Sequence, residues 1–143
     1  MVGAVVGVLL SIGSAMAQSS SDGVITIHAV GLRNSKGDVV CTLCSSSDGY
    51  PGDCKQKTVV KASITDEQAD CVFPHKASGD YGASIFHDED GSGKFKRNLL
   101  GIPQEGFGFS NNYHPKTRAP TWNEGKFNFS GGHKTITIKM IYW

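Results

Sequence analysis

The sequence predicts an all-β protein, an antiparallel β-sandwich of about seven short strands. Three observations carry this. Runs with period-two alternation recur along the chain, no window sustains a helical period, and the 18 glycines cluster between the runs, where tight bends need them. The length, 143 residues, suits one domain.

The chain opens "MVGAVVGVLLSIGSAMAQ". Val2 to Ala17 carry no charge, and "AMA" at Ala15–Ala17 has the small-x-small form of a signal-peptidase site. We read residues 1–17 as a signal peptide and 18–143 as the domain. No Lys or Arg precedes the apolar run, so the leader is expected to begin further upstream.

The strand candidates follow in order. "VITIHAV" (Val24–Val30) alternates, and "GLRNSKGD" turns the chain into "VVCTL". A Ser/Gly/Pro loop leads to "TVVKASI" (Thr58–Ile64), and the polar "TDEQA" connects to "CVF". "YGASIF" (Tyr81–Phe86) precedes an acidic run, and "KFNFS" (Lys126–Ser130) alternates Lys and Asn with Phe. "TITIKMIYW" (Thr135–Trp143) places Ile136, Ile138 and Met140 on one face.

Charge is balanced, 14 basic against 13 acidic residues, which argues against a nucleic-acid partner. No later apolar stretch is long enough for a membrane helix. Four cysteines, Cys41, Cys44, Cys54 and Cys71, form an even set, as disulfides in an exported chain do. A zinc site would want a second close pair, and a redox CxxC would open a helix, whereas "DVVCTLC" reads as a strand. Alternation puts Val39, Cys41 and Leu43 on one face, with Cys44 on the other and Cys71 beside Phe73. This favours Cys41–Cys71 in the core and Cys44–Cys54 closing a loop, contributing about 4 and about 3 kcal/mol by loop entropy.

The run "FHDEDGSGKFKRN" (Phe86–Asn98) offers the first half of a calcium loop. Asp88, Asp90, Ser92 and Gly93 match D-x-[DN]-x-[DNS]-G, where alternate residues point oxygens at a hard cation and Gly permits the bend. The second half fails: Lys96 and Leu99 stand where further ligands belong. In the metal reading calcium is the cofactor, weakly held by Asp88, Asp90 and Ser92 with Asn98 or Glu105 arriving from further along. In the competing reading Asp88 and Asp90 accept backbone N–H groups in an Asx-type turn and need no ion. We favour the latter.

"GIPQEGFGFSNN" does not form an ordinary strand. Paired carboxylates such as Asp88 and Glu105 have the residue types for acid–base work at glycosidic distance. The alternative is a loop folded over one end of the sandwich, with Phe107 and Phe109 in the core and Asn111 and Asn112 capping backbone groups. We prefer this. His87, beside Asp88, has the setting of a metal ligand or base, although a packed, hydrogen-bonded histidine is commoner at a strand end. Tyr113 and Trp122 lie in the polar loop "NNYHPKTRAPTWNEG", where rings either stack on a ligand or plug the sandwich. G-x-S-x-G and the phosphate-loop pattern are absent from the sequence.

The segment "GDYGASIFHDEDGSGKFKRNLLGIPQEGFGFSNN" (Gly79–Asn112) resembles the signature of the DUF2141 family, exported bacterial proteins of unknown function. The likeness extends loosely over the domain, and cysteines placed like Cys44 and Cys54 resemble those of some members. Gly82 stands where the family pattern has Ala, Asp90 and Ser92 where it has Asn, and Lys96 where it has Asp. The last change removes a carboxylate and puts calcium further in doubt. The resemblance implies a sandwich of transthyretin-like or Cna-B-like kind and a location outside the cytoplasm; it supplies no activity and no cofactor.

The expected function is therefore non-enzymatic: binding or accessory work at the cell envelope, periplasmic or secreted, toward an envelope glycan or protein. The site is expected on the surface of Asp88–Asn98, Gly101–Asn112 and Tyr113–Trp122. A glycan-acting hydrolase using Asp88 and Glu105, and a purely structural envelope component, are the alternatives.

Overall fold

A computed structural model describes residues 2–11, 13 and 22–143. The expected cleavage junction at Ala15–Ala17 lies outside the described residues. Val2 to Ser11 form no helix or strand and are exposed throughout.

Eight strands build two packed sheets. They are β1 (Gly23–Val30), β2 (Asp38–Cys44), β3 (Lys57–Ser63), β4 (Ala69–Lys76), β5 (Gly79–Asp88), β6 (Phe107–Phe109), β7 (Lys126–Phe129) and β8 (His133–Lys139). The smaller sheet runs β4-β1-β8. The larger runs β3-β2-β5, and both β6 and β7 pair with the far side of β5. β7 takes Gly79–Gly82 and β6 takes Ser84–Phe86, so the two lie end to end along one strand.

All seven expected strands form, and the β-sandwich is the fold. Two features depart from the expectation. β1 and β8 pair in parallel, Val24 opposite His133 through Val30 opposite Lys139, in an otherwise antiparallel molecule. The eighth strand, β6, is the "FGF" read as loop. Its Phe rings lie outside the main core cluster, with Phe107 buried and Phe109 partly so. Phe107 pairs with Phe86 and Phe109 with Ser84, and that register turns both rings to the outer face of the sheet. Gly108 takes the inward position, where a Cβ would lie 2.7 Å from Ile138 Cγ2. The inner layer has no room for a side chain there, so the aromatics go outward.

The core follows the alternation of the strands. Ile25, Ile27 and Ala29 of β1 meet Cys71 and Phe73 of β4 and Ile138 of β8, all fully buried. Opposite them lie Val39, Cys41 and Leu43 of β2 with Ala83 and Ile85 of β5. Cys41–Cys71 ties β2 to β4 and thus joins the two sheets, and Cys44–Cys54 closes the loop after β2. Both pairings are those that alternation favours, and the chain has no free cysteine.

Two asparagines cap backbone groups beside β7 and β8. Asn112, at φ 48°, accepts from the Lys139 N–H (2.9 Å) and donates to the Thr137 carbonyl along β8. Asn111 donates to the carbonyls of Glu124 and Lys126. The capping role expected of this pair is the one they play, and it hides backbone groups that would otherwise invite strand addition. No helix among the described residues is long and apolar enough to cross a membrane.

Candidate functional site

β5 carries the site on two levels. Its inward side chain at the C-terminal end, His87, is fully buried. Nε2 lies 2.7 Å from the Lys36 carbonyl, which only accepts, so Nε2 carries the proton. Nδ1 is hydrogen-bonded to the Tyr142 hydroxyl at 2.8 Å, with the Glu89 carboxylate 3.7 Å away. Both nitrogens are engaged within the fold, and the ring holds the C-terminal segment against β5 rather than facing a ligand.

Asp88, the next residue, points outward and is also fully buried. It accepts from the Gly93 N–H at 2.8 Å and from the Ser92 hydroxyl at 3.4 Å. Glu105, 5 % exposed, accepts from the Glu89 N–H at 3.1 Å and from the Lys96 N–H at 3.0 Å. Asp90 accepts from the Ser92 N–H and contacts the Lys96 ammonium. That hydrogen bond, foremost, holds the Asp90 carboxyl well below its ordinary range and pushes the Lys96 amine up.

Asp88, Asp90 and Glu105 thus converge, with one oxygen from each within 4.8 Å of the others. Asn98 does not complete a metal shell: its Oδ1 accepts from Leu100 N–H at 2.9 Å and Ile102 N–H at 3.0 Å. Ser92 is spent on Asp88 and the turn. The residues present suit a hard cation in donor type, but Lys96 already supplies positive charge where the third carboxylate approaches. What the cluster does in the folded chain is brace the 89–106 loop through backbone N–H groups, the Asx-type reading of the sequence. Asp88 and Glu105, the pair weighed for glycosidic work, are both buried and accept hydrogen bonds from the loop itself.

The braced loop forms one wall of a cleft of about 680 Å³ on the outer face of the larger sheet. Ser84 and Phe86 of β5 and Thr42 of β2 form its floor, placed side by side by the Thr42–Ser84 register. Phe95, Ile102 and Pro103 come from the braced loop, Pro51 from the disulfide-closed loop, and residues 115–119 from the segment before β7. The rings form a continuous row. Phe86, Phe95, Phe107 and Phe109 follow one another with centroids 5.7, 6.0 and 5.8 Å apart, and Trp143 meets Phe107 at 5.6 Å. Arg97, Lys116 and Arg118 are the charged residues of the lining, and it contains no acid. The size falls in the range of small-molecule sites, ~300–1,000 Å³.

Sequence reasoning placed the loops of this surface but missed the cleft. The signal was in "FGF", since period two puts both rings on one face and a residue without a side chain on the other. Tyr113 stands at the end of the aromatic row, edge-on to Phe109 at 6.4 Å. Trp122 is placed elsewhere. It packs edge-on against Tyr50 at 5.3 Å over Gly82, where a Cβ would come within 2.9 Å of the indole. The departure from Ala at Gly82 makes that packing possible.

The 113–122 segment is pinned by Glu124. Its carboxylate pairs with Arg118 at 2.6 Å and closes a capping box with Thr121. The Arg118 bond, then the Thr121 N–H and hydroxyl, lower its pKa from 4.5 to about 2. A depressed carboxylate stabilises above its unfolded pKa and loses this as pH falls through the folded value. Loosening around Trp122 is therefore expected between pH 4.5 and about 2. Trp122 fluorescence should change across that window in the wild type and stay flat in Glu124→Gln.

Fold and site together define a disulfide-linked β-sandwich with a braced loop over an aromatic cleft. The chain matches the model of the family described as "Uncharacterized protein conserved in bacteria (DUF2141)" over residues 27–137, and it belongs to that family. No curated protein and no solved structure matches it.

Proposed function

We propose that this is a non-enzymatic binding protein working outside the cytoplasm, and that it holds a small apolar molecule in the aromatic cleft. The observation that carries the reading is the row of rings lining the cleft on a sheet face that solvent would otherwise wet. Apolar surface kept open at the cost of stability marks a binding site. The two disulfides support a compartment where thiols oxidise, periplasmic or extracellular. The uncharged opening segment with its small-x-small site supports export. The burial of Asp88, Glu105 and His87 and their hydrogen bonds within the fold weigh against the hydrolase alternative.

A neutral naphthylamine probe should bind the wild type with micromolar affinity. Ser84→Trp, which fills the floor and leaves the braces intact, should weaken binding at least tenfold. Equal binding by both, or polysaccharide turnover that disappears in Glu105→Gln, would reject the proposal.

We further propose that Lys96 serves as the resident cation of the acidic cluster in place of calcium. Millimolar calcium should leave the wild-type melting temperature unchanged and raise that of Lys96→Ala, whose three carboxylates would lack a counter-charge. A calcium-dependent rise in the wild type would show that the ammonium does not exclude the ion.

A further inference from the structure

The rim of the cleft has a property that ligand binding does not require. Residues 98–101 form a tight turn, its ends closed by Asn98 N–H to the Ile102 carbonyl and Gly101 N–H to the Asn98 carbonyl, each at 2.9 Å. At its tip Leu99 and Leu100 project into solvent, 106 % and 83 % exposed, with Ile102 at 42 % and Trp143 at 60 % on the same rim. Leucines this exposed add little to the fold. Asn98 holds the turn rigidly with two hydrogen bonds to Leu100 and Ile102, so the leucines are presented on a built platform.

The charges beside this tip are basic. Lys94 and Arg97 precede it on the same loop, and Lys116 lines the same cleft. Among the described residues none of these three has a carboxylate within ion-pair distance. The acids nearest in sequence are committed: Asp90 to Lys96, Glu89 to Arg33, and Asp88 and Glu105 to backbone N–H groups inside the loop. The Arg97 guanidinium sits 5.2 Å from the centre of the Phe95 ring and donates to the Gly101 carbonyl at 3.4 Å, and no carboxylate pairs with it.

Two leucines, an interfacial tryptophan and unpaired bases on one rim match the chemistry of a bilayer surface. The apolar groups reach the acyl boundary, the indole sits at headgroup level, and the bases meet phosphate. We propose that the Leu99–Leu100 turn docks this protein on a membrane rich in anionic phospholipid, with the mouth of the cleft toward the lipid. This goes beyond the cleft reading, since docking holds whether the cleft is filled or empty.

The apolar segment at residues 2–11 would itself adhere to vesicles, so the test reads the rim locally. In a Trp122→Phe background the remaining indole is Trp143. Brominated phosphatidylglycerol vesicles should quench it, and neutral phosphatidylcholine vesicles should not. Leu99→Glu/Leu100→Glu should abolish the quenching, and Arg97→Gln should weaken binding about fivefold, the effect of one basic group near an anionic surface. Should Trp122→Phe disturb the fold, amide exchange in the unaltered chain replaces it. Leu100 and Ile102 should then exchange more slowly on phosphatidylglycerol vesicles than in buffer. Quenching that survives the double glutamate change, or is equal on neutral lipid, or amide exchange that is unchanged by the vesicles, would overturn the proposal. Neither result bears on naphthylamine binding, which Ser84→Trp tests separately.

Discussion

Replacing Cys41 and Cys71 together by alanine is expected to cost about 4 kcal/mol of folding stability. The bond joins β2 of the larger sheet to β4 of the smaller at the centre of the core, and both residues are fully buried. It spans a sequence separation of 30 residues, so the reduced chain regains the entropy of a long loop in the unfolded state. The sulfur atoms also leave a gap between the sheets that Val39, Phe73 and their neighbours only partly refill. Domains of this size are stable by about 5–15 kcal/mol, so the double variant should melt roughly 15 °C lower. Removing Cys44 and Cys54 frees a surface loop with a separation of 10 residues and should cost less. Calorimetry on the two double variants measures both. A Cys41→Ala/Cys71→Ala protein melting within a few degrees of wild type would mean that packing alone holds the sheets together.

The second large effect is expected at Glu105. Its two oxygens accept N–H groups from opposite ends of the acidic loop, Glu89 and Lys96. Glu105→Ala strands both donors in a part-buried setting and should cost about 3 kcal/mol. The loss should be local as well as global. The wall of the cleft carrying Phe95 and Ile102 depends on that brace, so amide protection at Glu89 and Lys96 should collapse and probe binding should fall with it. Glu105→Gln keeps one acceptor and should do roughly half the damage. Unchanged protection at those two amides in the alanine variant would show that the loop is held by something else.

These two sites differ in how far the sequence discloses them. The disulfide follows from parity. Once "DVVCTLC" and "CVF" are strands, alternation alone decides which sulfur faces inward. The core residues of β1, β4 and β8 follow in the same way. Glu105 was legible as a special residue, between Pro103 and Gly106, but its use was not. Asp88, Asp90 and Glu105 have the residue types of a cation site, and only three-dimensional structure shows their oxygens turned on backbone N–H groups and on Lys96. The cleft was the least legible feature. Its floor comes from β2 and β5 and its walls from three loops far apart in the chain, so no local pattern marks it. "FGF" held the local clue, obscured by its glycine. The parallel pairing of β1 with β8 leaves no trace in either strand, because both alternate as any strand does.

That pairing governs how the molecule comes into being. Of the described strands, the central one of the smaller sheet, β1, comes earliest in the chain and its parallel partner, β8, comes latest. Ribosomal synthesis thus delivers the other described strands before this sheet is able to close. Contacts so distant in sequence favour slow, all-or-none folding. A polypeptide released before His133 would carry β1 with one row of amides and carbonyls unmet, open to annealing with a second chain.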